Sequence, residues 1–110
     1  MPYYMYQGSY ASETWARMSK SPENRETAIR AVMEKNGGKL LCLFFTFGAD
    51  DVIAIAELPD NIKAAALAVA VTGTGGYRNF RTTPLLTAED AMEAMRQSGQ
   101  AGFRAAGTGS

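Results

Sequence analysis

Histidine is absent from the 110 residues. With it go the commonest general base and the commonest metal ligand at neutral pH. Ser-His and Cys-His nucleophile systems are excluded on the same ground. The single cysteine, Cys42, permits no internal disulfide and offers too few thiolates for zinc. No metal-ligand cluster or cofactor motif is written in the chain, so neither a metal nor a cofactor is expected. Any chemistry falls to carboxylates, Tyr, Lys, Arg or the one thiol. Net charge is lacking too: 11 basic side chains balance 11 acidic ones. That balance supplies no field to draw nucleic acid or an anionic membrane. No apolar run approaches the roughly 20 residues of a membrane helix. Met1-Pro2-Tyr3-Tyr4 shows no basic segment leading into an apolar one, so no signal peptide is expected. The expectation is a cytoplasmic protein that partners neither nucleic acid nor membrane.

What the chain does have is enough apolar residue for a core, 46% of the total, in the length of one domain. The most informative stretch is Lys39 to Phe47, then Gly48-Ala49-Asp50-Asp51, then Val52 to Ala56. Two apolar runs around a turn predict a β-hairpin. A strand with one wet face should alternate apolar and polar residues. Strict alternation places Leu41, Leu43, Phe45 and Phe47 on one face and Leu40, Cys42 and Phe44 on the other. Both faces then need cover. Helices of the same chain can supply one, and a second copy is expected on the other.

The remaining elements follow from local signals. Residues 2–10 are aromatic-rich and predict a strand, with Tyr4, Tyr6, Gly8 and Tyr10 on a common face. Ser12 is the expected cap of a short helix over 13–20. Ser21-Pro22 is expected to start a second helix, with Ala28, Ile29, Val32 and Met33 on one face, ended by Gly37-Gly38. Asp60 is expected to cap an alanine-rich helix, closed by the glycines after Thr72. A fourth strand is predicted over 77–83, stopped by Pro84. Thr87 then caps a last helix to about Ser98, with Met92 and Met95 inward. A Gly- and Ala-rich tail is expected over 99–110, leaving a domain over 1–98. The order β-α-β-β-α-β plus a terminal helix is the ferredoxin-like pattern, α+β with a four-stranded antiparallel sheet. Both helices of that pattern pack on one face of the sheet. An apolar opposite face predicts a homodimer or higher homo-oligomer, a dimeric α+β barrel. Phe45 is expected on that shared face, where a charge would break the oligomer.

Several short motifs occur in an order that resembles the GYD-domain family. They are Met-Pro-Tyr-Tyr-Met-Tyr-Gln at 1–7, Ser21-Pro22 with Arg25, Gly37-Gly38-Lys39, Phe47-Gly48, Glu57-Leu58-Pro59-Asp60 and Thr82 to Thr87. The resemblance covers about residues 1–98 and implies a ferredoxin-like fold and oligomerisation, with little about activity. The family usually carries a tyrosine directly before the aspartate of the turn; here that position is Asp50, and Asp51 keeps the aspartate. The turn is also similar to a hairpin in the ligand-binding domain of feast/famine regulators, which implies a place for a ligand between subunits.

Candidate site residues are few. Asp50 and Asp51 are either a paired-carboxylate site or turn residues bonding their own backbone, and adjacent strand residues point to opposite faces. Tyr4, Tyr6 and Trp15 either line a cavity between sheet and helices or simply fill the core. Arg25, Arg78 and Arg81 are candidates for an anion or for surface ion pairs. Cys42, among Leu and Phe, is expected to be structural. Gly73 to Gly76 follows a helix and precedes a strand, the reverse of a phosphate loop. Two functions remain, beside a purely structural role in a larger assembly. One is a non-catalytic oligomer binding a small, partly apolar molecule between sheet and helices or at a subunit edge near Gly48–Asp51, with Tyr4, Tyr6, Trp15, Arg25, Gly48 and Asp51 as ligand contacts. The other is a cofactor-independent enzyme of monooxygenase, isomerase or decarboxylase type, with Asp51 or Asp50 as base.

Overall fold

A computed structural model describes residues 1–108, so the last two residues of the expected tail lie outside the described residues. The chain forms β1 (Tyr3–Tyr10), α1 (Ser12–Lys20), α2 (Arg25–Lys35), β2 (Lys39–Phe45), β3 (Val52–Glu57), α3 (Asn61–Gly73), β4 (Tyr77–Leu85) and α4 (Ala88–Ser98). The four strands make one antiparallel sheet in the order β2-β3-β1-β4. This is the ferredoxin-like α+β fold.

Period-2 alternation in β1 puts Tyr4, Tyr6 and Tyr10 into the core, while Tyr3, Met5 and Gln7 face the other side. Ala54 and Ala56 of β3 and Leu40 of β2 complete the sheet's buried surface. Met33 of α2 and Ala64 and Leu67 of α3 close over it. Leu40 and Leu58 are almost wholly buried, and each contributes about 2 kcal/mol by leaving water. At the α2–β2 junction Gly37 has φ 79°, and a Cβ on Gly38 would lie 2.1 Å from the Glu57 carbonyl oxygen. Only glycine fits that crossing.

Five expectations are corrected. The first helix is not capped by Ser12: Ala11 is the N-cap, its carbonyl accepting from Thr14 and Trp15 N–H, with no side-chain cap. The second helix does not start at Ser21-Pro22. Ser21 closes α1 onto the Arg17 carbonyl, and Asn24 caps α2 by accepting from Glu26 and Thr27 N–H. Pro84 does not end the fourth strand but lies within it opposite Tyr4; β4 is an edge strand, where a missing N–H is tolerated. Met92 and Met95 are exposed, and no residue of α4 is buried.

The fifth correction changes which residues face where. The β2–β3 register shifts between Leu40 and Cys42, so Leu41 is an extra, unpaired residue. A bulge flips the alternation beyond it. Leu40, Leu43 and Phe45 therefore share the helix-covered side, and Phe44, paired with Ile53, sits on the open face, 67% exposed. Phe45 is not on the open face. It meets Tyr10 and Trp15 beside the helices.

Candidate binding site between sheet and helices

An apolar cavity of about 60 Å³ lies between the sheet and helices α2 and α3. Its sheet wall includes Tyr6, Ala54 and Phe80, and its helix wall includes Met33, Leu67 and Val71. A continuous run of rings forms one side. Tyr6 stacks on Phe80 at 5.6 Å, Phe80 meets Tyr77 edge-on at 5.1 Å, and Tyr77 stacks on Tyr10 at 4.7 Å. Trp15 then meets Tyr10 edge-on at 5.2 Å. Such offset and edge contacts suit aromatic quadrupoles. Gly8 makes the arrangement possible: a Cβ there would come within 2.7 Å of the Tyr77 ring. Tyr10 reaches the same wall through a second register shift, between Ser9 and Tyr10, which leaves Arg78 unpaired in β4.

A second cavity, about 390 Å³, adjoins the first and shares Tyr10 and Tyr77 with it. Its other walls are polar and come mostly from α1 and the segment before α2, including Thr14, Arg17, Glu23 and Arg25. Tyr10, Tyr77 and Arg25 lie together on its wall, close enough to act on one another electrostatically. Burial pushes the Tyr77 hydroxyl well above the usual tyrosine value, and the neighbouring Tyr10 adds to it. Burial likewise holds Tyr6 up at about 12, with a smaller push from Tyr4, while its hydroxyl donates to the Ala64 carbonyl at 2.8 Å. Tyr6 and Tyr77 are protonated at neutral pH, and Tyr6 acts as a hydrogen-bond donor. Burial opposes the charge on Arg25, but Tyr10, Glu23 and Tyr77 outweigh it and raise its pKa. Its guanidinium pairs with Glu23 at 3.2 Å.

The structure disperses the expected site residues. Tyr6 lines the apolar cavity; Tyr4 lies deeper, its hydroxyl donating to Asn61 Oδ1 at 2.5 Å. Arg25 stands at the polar cavity. Trp15 packs outside Tyr10, its indole N–H donating to Asp51 Oδ2 at 3.2 Å. The same oxygen accepts the Tyr10 N–H at 2.9 Å, and the Asp51 N–H donates to the Gly8 carbonyl. Asp51 thus ties the hairpin loop to β1 and α1. Asp50 turns the other way and is buried, with Oδ2 accepting from Arg81 at 2.5 Å and Gln7 at 3.3 Å. Its Oδ1 is buried without a partner. Gly48 is exposed, with open space around it. Neither aspartate lines the apolar cavity. Tyr10, Tyr77 and Phe80 are the aromatic wall residues that sequence reasoning passed over. The face shared by Tyr4, Tyr6 and Tyr10 was a signal for the first; nothing local marked the other two.

Among the described residues no group of acidic, Cys or His side chains could hold a metal ion, and no helix is long and apolar enough to cross a membrane. Fold and cavity together define an α+β sheet protein with an aromatic-walled hollow under two helices. The chain belongs to the GYD domain family, which matches it over residues 4–95. No curated protein and no solved structure matches it.

Proposed function

We propose that the protein is a non-catalytic binder of a small, partly apolar molecule, working as a homo-oligomer closed over the open sheet face. The cavity carries this reading. It is a hollow lined by aliphatic and aromatic side chains, and its polar groups are tyrosine hydroxyls. Small-molecule sites have that character: mostly apolar, with a few placed polar groups. An acid-base enzyme needs a carboxylate converging on the same volume, and both candidate carboxylates are engaged elsewhere. Assembly is supported by the open face, where Met5, Ile53 and Ile55 lie beside the exposed Phe44.

The test fills the cavity. Ala54→Leu adds three carbons to its floor. The expected result is a folded variant that no longer binds small aromatic probes, followed by ligand-observed NMR. Binding that persists undiminished in the filled variant would remove the cavity as the site.

A further inference from the structure

The two cavities differ in character and meet at one pair of rings. On one side of Tyr10 and Tyr77 the walls are hydrocarbon; on the other they carry Arg17 and Arg25 against the single carboxylate of Glu23. Two cations and one anion leave the outer cavity one positive charge in excess. Three polar side chains line the outer cavity at the junction: Tyr10, Tyr77 and Arg25. Of the three, the guanidinium carries the charge, and a carboxylate is its complement.

Resting on the binding reading above, we infer that the ligand is a small monocarboxylate with a compact apolar body. The carboxylate sits on Arg25 beside Tyr10 and Tyr77, and the body occupies the inner cavity against Phe80 and Leu67. Arginine suits a carboxylate because its planar fork donates two parallel hydrogen bonds. The present partner, Glu23, is 54% exposed, and an exposed pair of this kind adds little, so exchange for a ligand carboxylate costs little. The volume sets the body. About 60 Å³ holds about four to six water-sized groups, which corresponds to a short branched chain or a single ring. Long acyl chains and fused rings do not fit.

The experiment compares benzoate with its uncharged isostere benzamide at fixed ionic strength, by isothermal titration or NMR. The parent protein should bind benzoate at least about tenfold more tightly, the effect of one charge-assisted contact. Arg25→Gln should abolish that preference, so that the variant binds benzoate and benzamide equally. Glu23→Gln, an exposed change that leaves folding alone, should tighten benzoate by removing its competitor. Equal affinity for the two probes, or a preference that survives Arg25→Gln, would overturn the carboxylate assignment and leave the cavity as a site. Failure of both probes to bind the parent protein would overturn the binding reading itself, and the carboxylate assignment with it.

Discussion

Asp51 serves two donors through one carboxylate oxygen, the Tyr10 N–H and the Trp15 indole N–H. Asp51→Ala leaves both without that acceptor. The expected cost is about 1–3 kcal/mol, read as a lower urea midpoint, with the fold retained. The lone tryptophan should report the change as a shifted emission maximum. An unaltered midpoint and spectrum would show that the loop is held by its backbone bonds alone. Tyr6 sets a pH dependence. An unfolded tyrosine ionises near 10, whereas burial keeps the folded Tyr6 protonated to about 12. Between those values the unfolded state holds fewer protons, so stability falls as pH rises. It is complete below about 10 and lost on passing about 12. Urea midpoints followed through this window should drop less steeply in Tyr6→Phe than in the parent; identical slopes would assign the loss to other groups.

Among the elements, those set by local chemistry were legible in advance. Asp60 caps α3 by accepting from Lys63 N–H at 2.8 Å, and Thr87 caps α4 by accepting from Asp90 N–H at 3.0 Å. Gly37 ends α2 in the left-handed region. The errors came where a second element intervenes. Ser21 looks like a cap, but its N–H is taken by the end of α1, so Asn24 starts the next helix. Pro84 looks like a stop, yet at a sheet edge it interrupts no ladder. The extra residue in β2 has no local signature, since Leu40, Leu41 and Cys42 are all apolar. The pairing of Leu40 with Ala56 and of Cys42 with Ile55 is what reveals it. That bulge decided Phe45, moving it from the expected oligomer face to the flank of the site.

For the whole molecule, the radius of gyration is 17.9 Å, against about 13 Å for a compact domain of this length. Helix α4 has no buried residue, and Leu86, Met92, Met95 and Phe103 are all exposed. A lone subunit therefore leaves apolar surface in water at two places, the open sheet face and the C-terminal segment. At this scale the prediction concerns Phe44, not Phe45. Phe44→Glu places a charge on the open face and should shift the protein from oligomer to monomer in sedimentation velocity. Phe45→Glu should keep the oligomer and lower stability, because its ring packs within the subunit against Tyr10 and Trp15. A parent protein that sediments as a stable monomer would end the proposal of a covered sheet face.

Local patterning by itself determined the ferredoxin-like order of elements, the antiparallel hairpin and the buried face of β1. Those properties depend on period, caps and turns, which are contained within a few neighbouring residues. Only the tertiary structure decided the site. Tyr10 and Tyr77 are 67 positions apart in the chain and meet because β1 pairs with β4, with Gly8 leaving room for the ring. Arg25 joins them from the start of a helix that the segment after Ser21 only begins once Asn24 caps it. A cavity is defined by which atoms fail to touch across strands and helices, and no stretch of chain carries that information alone.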